Sequence, residues 1–207
     1  MLRIWGRTNS VNVQKVLWCL AELGVPYERI DAGLAHGKNT EPWFLALNPN
    51  GRVPLLQDGG FSLWESNSIV RYLAAKHSLG SLCPASLETR AHAERWMDWQ
   101  LSVLIRPVSI VFWNLIRTPA SGPDLKAVAS ATDEANRAAT LLDGHLAAHD
   151  FVAGPTFSMG DIPVGATLYR WLALDGVERP VLTHLRAWQS RLAARPGFRS
   201  HVMLPLS

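Results

Sequence analysis

Leu2-Arg3-Ile4-Trp5-Gly6, Val13-Gln14-Lys15-Val16-Leu17-Trp18-Cys19-Leu20 and Tyr27-Glu28-Arg29-Ile30-Asp31 decide the fold, because they read in close succession as strand, helix and strand. In the first piece Leu2 and Ile4 alternate with Arg3, and the pattern stops at Gly6. In the second, Val13, Val16, Leu17 and Leu20 repeat at helical spacing, and Gly24 with Pro26 closes the helix. Two strands joined through one helix by such short connections form a βαβ unit, with parallel strands and a right-handed crossover.

Working outward, a long connection leads to Val53 to Asp58 and Phe61 to Trp64, which flank Gly59-Gly60 and read as an antiparallel hairpin. Ile69, Tyr72 and Leu73 then mark a helix face. This order predicts an α/β, thioredoxin-like domain over residues 1–80. Ser81 to Ser86, with Pro84, reads as a linker. Residues 87–207 read as an all-α bundle, with helices over Leu87 to Arg117, Leu125 to Ala148, Met159 to Leu174 and Val181 to Ala194. Pro107 lacks a backbone donor and is expected to kink or split the first of these.

The 207 residues are 48% hydrophobic, enough for one large or two small cores and against disorder. Twenty basic and 17 acidic residues spread along the chain leave a net charge of +3 and no basic cluster of the nucleic-acid-binding kind. The start of the chain shows no leader pattern, and no stretch approaches the apolar length of a spanning helix, so the expected location is the cytoplasm. Cys19 and Cys83 make neither a C-x-x-C pair nor a zinc spacing, which fits a reducing compartment; Cys19 reads as an inert helix thiol and Cys83 as an exposed one.

A thioredoxin-like domain commonly keeps its reactive group at the N-terminus of the first helix, where backbone N–H groups and the helix dipole stabilise an anion. That place reads Thr8-Asn9-Ser10-Val11-Asn12-Val13 and holds no cysteine. A hydroxyl there can instead donate a hydrogen bond to the thiolate of a ligand. Ser10 also suits an ordinary N-cap, and Thr8, Asn9 and Asn12 are alternative donors.

Ser10-Val11-Asn12-Val13-Gln14-Lys15-Val16 resembles the opening of serine-type cytosolic glutathione transferases of the phi-like, delta-like and theta-like kinds. Asn48-Pro49-Asn50-Gly51-Arg52-Val53-Pro54 is similar to that family's N-P-x-G-x-V-P stretch, and Leu63-Trp64-Glu65-Ser66-Asn67-Ser68-Ile69 to its L-x-E-S-x-A-I segment. The resemblance implies glutathione as co-substrate, with Ser10 and Asn12 activating its thiol. It implies a cis Val53-Pro54 bond beside the cysteinyl backbone, and Glu65 with Ser66 at the γ-glutamyl end. Lys38, Asn39 and Arg52 are the implied glycyl-carboxylate contacts, with His36 as a further one; relatives often carry histidine where Asn39 stands.

For the electrophile the resemblance implies a pocket in the helical domain, with Trp5, Arg106, Phe112, Trp113 and Trp171 as lining. An apolar pocket suits an apolar electrophile, whereas basic groups such as Arg106 favour an acidic one. Conjugation, isomerisation, reductive dehalogenation and peroxide reduction all occur on such a site, and some proteins of this fold are non-catalytic binding modules. The family also implies a homodimer. His145 and His149 stand four apart on a helix without a third ligand nearby, and Ser158-Met159-Gly160-Asp161 matches a capping box with Phe157 as its staple residue.

Overall fold

The computed structural model describes residues 1–118 and 122–207. Strands β1 (Leu2–Trp5), β2 (Tyr27–Ile30), β3 (Leu55–Asp58) and β4 (Phe61–Trp64) form one sheet in the order β2-β1-β3-β4. β1 and β2 are parallel across helix α1 (Val11–Leu23), as the βαβ reading requires, while β1–β3 and β3–β4 are antiparallel. Alternation sorts the strand residues to two faces. Ile4 and Leu56 face the main core with α1 and α3 (Ser66–His77), whereas Leu55 packs with Ala32, Phe44 and the partly buried Trp5 on the other face.

Phe44 belongs to a short helix α2 (Pro42–Leu47) that the sequence pattern did not single out within the long connection. β3 starts at Leu55, two residues later than the sequence suggested, because the cis Val53–Pro54 bond precedes the ladder. Gly24 closes α1 in the left-handed conformation, φ 63°. Gly6 has a different reason to be glycine. A Cβ there would stand 2.4 Å from Val13 Cγ2, so only glycine lets β1 turn so close to α1.

The C-terminal part is helical: α4 (Leu87–Trp99), α5 (Ile105–Phe112), α6 (Leu125–Leu146), α7 (Asp161–Leu172), α8 (Thr183–Ala193) and α9 (Pro196–His201). Pro107 does not split the helix. Leu87–Arg117 runs continuously, with a π-helical turn at Gln100–Leu104 directly before α5, where Ile105 N–H bonds to Gln100 O, and another at Trp113–Arg117. The widened turn absorbs the missing donor and the room that the proline ring demands. This 31-residue helix is also, by length and composition alone, long and apolar enough to cross a bilayer, which corrects the expectation that no stretch is; one side of it is buried in the core.

Helix α1 is buried nearly all round, from Val11 to Leu20, because the sheet and α3 cover one side while α7 and α9 cover the other. Phe157 packs tilted against Trp18 with ring centroids 5.6 Å apart and edge-on against Phe151 at 5.9 Å, which helps fix α1 to the helical part. The Ser158–Asp161 box is half formed: Asp161 Oδ2 accepts from Ser158 N–H at 2.9 Å, but the Ser158 hydroxyl lies by Gly160 N–H and not by that of Asp161. Cys83 is fully buried, as is Cys19, so the exposed thiol expected at Cys83 is corrected.

Candidate functional site

Ser10 stands at the N-terminal boundary of α1 in extended backbone, and its hydroxyl makes no capping bond. The first-turn N–H groups of the helix therefore have no side-chain acceptor among the described residues, and Ser10 faces a cleft of about 680 Å³. One wall carries Arg7, Ser10, Asn12, Asn39, Arg52 and Val53; the other carries Ile105, Arg106, Ser109, Trp113 and Arg117 of the long helix, with Arg170 from α7. Of the alternative donors, Thr8 and Asn9 do not line it. The main-chain oxygen of Thr8 accepts from Gln14, and Asn9 Nδ2 donates to Ser207 Oγ.

A smaller cavity of about 120 Å³ adjoins the cleft through Asn12, Arg52 and Val53 and is completed by Asn48, Asn50, Pro54, Glu65 and Ser66. Val53 lies ahead of the β3 ladder, and its N–H and C=O make no main-chain hydrogen bond among the described residues. Glu65 enters α3 with φ 69°, a left-handed conformation that costs a non-glycine residue energy and is over-represented at binding sites. The buried Ser66 hydroxyl lies 3.4 Å from Asn12 Oδ1, and Lys15 Nζ approaches it at 3.5 Å.

Lys15 is fully buried beneath this cavity, and its Nζ also donates to Asn67 Oδ1 at 3.3 Å and Gln100 Oε1 at 3.1 Å. Burial pushes its pKa down to about 7, opposed by the Glu65 carboxylate and assisted by the positive charge of Arg170. Arg170 is itself lowered to about 9 by burial and by Arg117 and Arg7, and remains charged at neutral pH.

The remaining sequence-derived candidates divide clearly. Asn39 lines the cleft and ties its own loop to Gly51 O at 2.7 Å. Lys38 lies over the Trp5 ring at 5.7 Å and lines neither cavity, and His36 is exposed near Asp31. Arg106 and Trp113 line the cleft as expected, but Phe112 and Trp171 are fully buried and cannot. Phe112 instead underlies Arg170, and Trp171 underlies Arg179. Trp5 donates to Gln57 and packs on Trp43, on the α2 side of the sheet.

Sequence reasoning passed over Arg7, Lys15, Arg117 and Arg170. The available signal was a charge placed within an apolar helical stripe, as with Lys15 between Val13 and Val16, or Arg170 between Leu168 and Trp171. His145 and His149 stack at 4.1 Å and each meets a backbone carbonyl; among the described residues no three His, Cys, Asp or Glu side chains gather as a metal site.

A sheet of this order, a helix N-terminus offering a free hydroxyl, a cis-proline corner and a helical second wall define a glutathione-dependent enzyme of the thioredoxin-like kind. The chain belongs to the glutathione S-transferase family, whose N-terminal domain matches residues 1–75 and whose C-terminal domain matches residues 105–196. It is 42% identical to the glutathione S-transferase GstB of Escherichia coli K12 over the whole of both chains. It is 32% identical to glutathione S-transferase 3 of Zea mays, over 97% of this chain and 93% of that protein. Among solved structures it is similar to the theta-class glutathione S-transferase of Xanthomonas axonopodis pv. citri with glutathione bound, with a TM-score of 0.96 and 45% identity over 100% of this chain and 99% of that one.

Proposed function

We propose that this chain is a glutathione transferase in which the Ser10 hydroxyl donates a hydrogen bond to the sulfur of bound glutathione and so stabilises it as a thiolate. The observation that carries this reading is the uncapped, cleft-facing Ser10 hydroxyl at the start of α1. Family membership and the glutathione-bound relative support it. In this account Val53 pairs its free N–H and C=O with the cysteinyl backbone, as an added strand does. Glu65, Ser66 and the start of α3 receive the γ-glutamyl end, while Asn39 and Arg52 meet the glycyl carboxylate.

Lowering a thiol from near 8.5 by about two pKa units requires roughly 2.7 kcal/mol of preferential anion stabilisation. The Ser10 O–H, the first-turn N–H groups and the Asn12 side chain supply it together, as donors preset around a developing anion. The thiolate then attacks an electrophile whose apolar body rests against Ile105 and Trp113. With this reading go a glutathione-binding unit over 1–80, a linker at 81–86, a helical unit over 87–207, a homodimer, a cytoplasmic location and a detoxifying role. Conjugation of 1-chloro-2,4-dinitrobenzene tests it: wild type is expected to form the conjugate well above the uncatalysed rate, with Ser10→Ala losing about a hundredfold in kcat. Equal rates in both would remove Ser10 from the mechanism.

A further inference from the structure

The cleft is lined by arginines from both of its walls and, among the described residues, by no Asp or Glu. Arg7, Arg106, Arg117 and Arg170 all line it. None of the four pairs with an Asp or Glu among the described residues, in contrast to Arg3–Glu28, Arg29–Asp31, Arg90–Glu94 and Arg195–Glu22; Arg117 alone has a further internal acceptor, its Nε and Nη2 donating to Ser207 O at 3.2 Å and 2.7 Å.

Arg117 and Arg170 instead converge. One Nη2 of each lies 3.2 Å from the same acceptor, Asn9 O, so two like charges meet at a single carbonyl oxygen. Nε of Arg7 and Nε of the buried Arg170 have no acceptor among the described residues. The planes are held from beneath: Phe112 lies 4.0 Å from the Arg170 guanidinium and 4.8 Å from that of Arg117, and Trp113 lies 4.6 Å from Arg117. Like charges fixed side by side in a partly desolvated wall repel one another, and an anion placed among them removes that cost. The guanidinium fork matches a carboxylate in particular.

We infer that the electrophile of this enzyme carries a carboxylate or similar anionic group on an apolar body, the anion docking among Arg7, Arg106, Arg117 and Arg170 while the body lies on Ile105 and Trp113. The inference rests on the transferase reading above. Glutathione's own carboxylates have other partners in that reading, on the wall built by residues 1–80, whereas Arg106, Arg117 and Arg170 come from the opposite, helical wall.

The test compares 4-chloro-3,5-dinitrobenzoate with its methyl ester, which differ in one negative charge. In either reaction sulfur forms a bond to the chlorine-bearing carbon, chloride leaves with the C–Cl electron pair, and the thiol proton passes to the buffer. With kcat/KM divided by the uncatalysed rate for each compound, wild type is expected to favour the acid by about tenfold or more. Arg106→Gln, at an exposed position without a hydrogen-bond partner among the described residues, and separately Arg7→Gln are expected to lower that preference about tenfold. Turnover of the ester with no preference for the acid overturns the inference and leaves the transferase reading standing. So does a higher KM for glutathione in the variants with the acid preference intact, because the arginines then serve glutathione. Turnover of neither compound also overturns it, and thiol ionisation in bound glutathione then decides the transferase reading separately.

Discussion

Lys15 Nζ lies 3.1 Å from Gln100 Oε1, so a fully buried ammonium in α1 reaches the π-helical turn of the long helix and joins the two parts of the molecule beneath the smaller cavity. The relationship has a pH sign. Burial lowers the folded pKa of Lys15 to about 7, whereas an unfolded lysine titrates near 10.4. Between those values the unfolded chain binds more protons, so this group makes the fold more stable as pH rises through that window. Urea unfolding is expected to show wild type gaining stability relative to Lys15→Met from about pH 7 to about pH 9. Parallel behaviour of the two proteins would contradict the buried, depressed lysine.

Asp161 is the corresponding buried acid of the helical part. It accepts from Val152 N–H at 3.0 Å, Ser158 N–H at 2.9 Å and Trp188 Nε1 at 3.0 Å, while burial still holds its pKa up at about 6. Asp161→Ala leaves these buried donors without a partner, and the free energy of unfolding is expected to fall by about 3 kcal/mol or more. A loss under about 1 kcal/mol, read from the urea midpoint at constant slope, would show that the donors find other acceptors.

Two ion pairs offer a contrast between exposed and packed charge. Arg195 grips Glu22 through two bonds, at 3.0 Å and 2.6 Å, with Phe157 3.8 Å from its guanidinium and Trp18 donating to the same carboxylate. Arg3–Glu28 is a single bond at an exposed strand edge. Glu22→Gln is expected to cost about 1–2 kcal/mol and Glu28→Gln less than about 0.5 kcal/mol. Differential scanning calorimetry on the two variants checks the order, and equal melting temperatures would contradict it.

Both cysteines are fully buried, and burial and Glu22 raise the Cys19 thiol. Neither is expected to react with 5,5′-dithiobis(2-nitrobenzoate) in the native protein within minutes, and both are expected to react in guanidinium. Rapid labelling of Cys83 without denaturant would show that the 78–83 segment opens.

Much of this was legible in sequence because it rests on short-range chemistry. The alternation of Leu2 and Ile4, the helical spacing from Val13 to Leu20 and the Gly59-Gly60 turn each specify an element from adjacent residues. Val53, Glu65 and Ser66 were placed by their resemblance to a family, and they do gather around one cavity with Asn12. The second wall was less legible. Trp113 and Phe112 are neighbours of similar chemistry, yet one faces the cleft and the other is in the core, a difference set by helix rotation and by π turns that residue type does not announce. The convergence of Arg7, Arg117 and Arg170 joins three distant segments, and only the packing of α7 against both α1 and the long helix brings them together. The short helix α2 escaped because six residues give too little periodicity to read.

The central claim is that Ser10 ionises the glutathione thiol. Ultraviolet titration of the thiolate of bound glutathione against pH, in wild type and Ser10→Ala, tests it most directly. The account predicts a pKa about two units below the free value near 8.5 in wild type, returning most of the way in the variant. A pKa equally low in both, or unshifted in both, would contradict it.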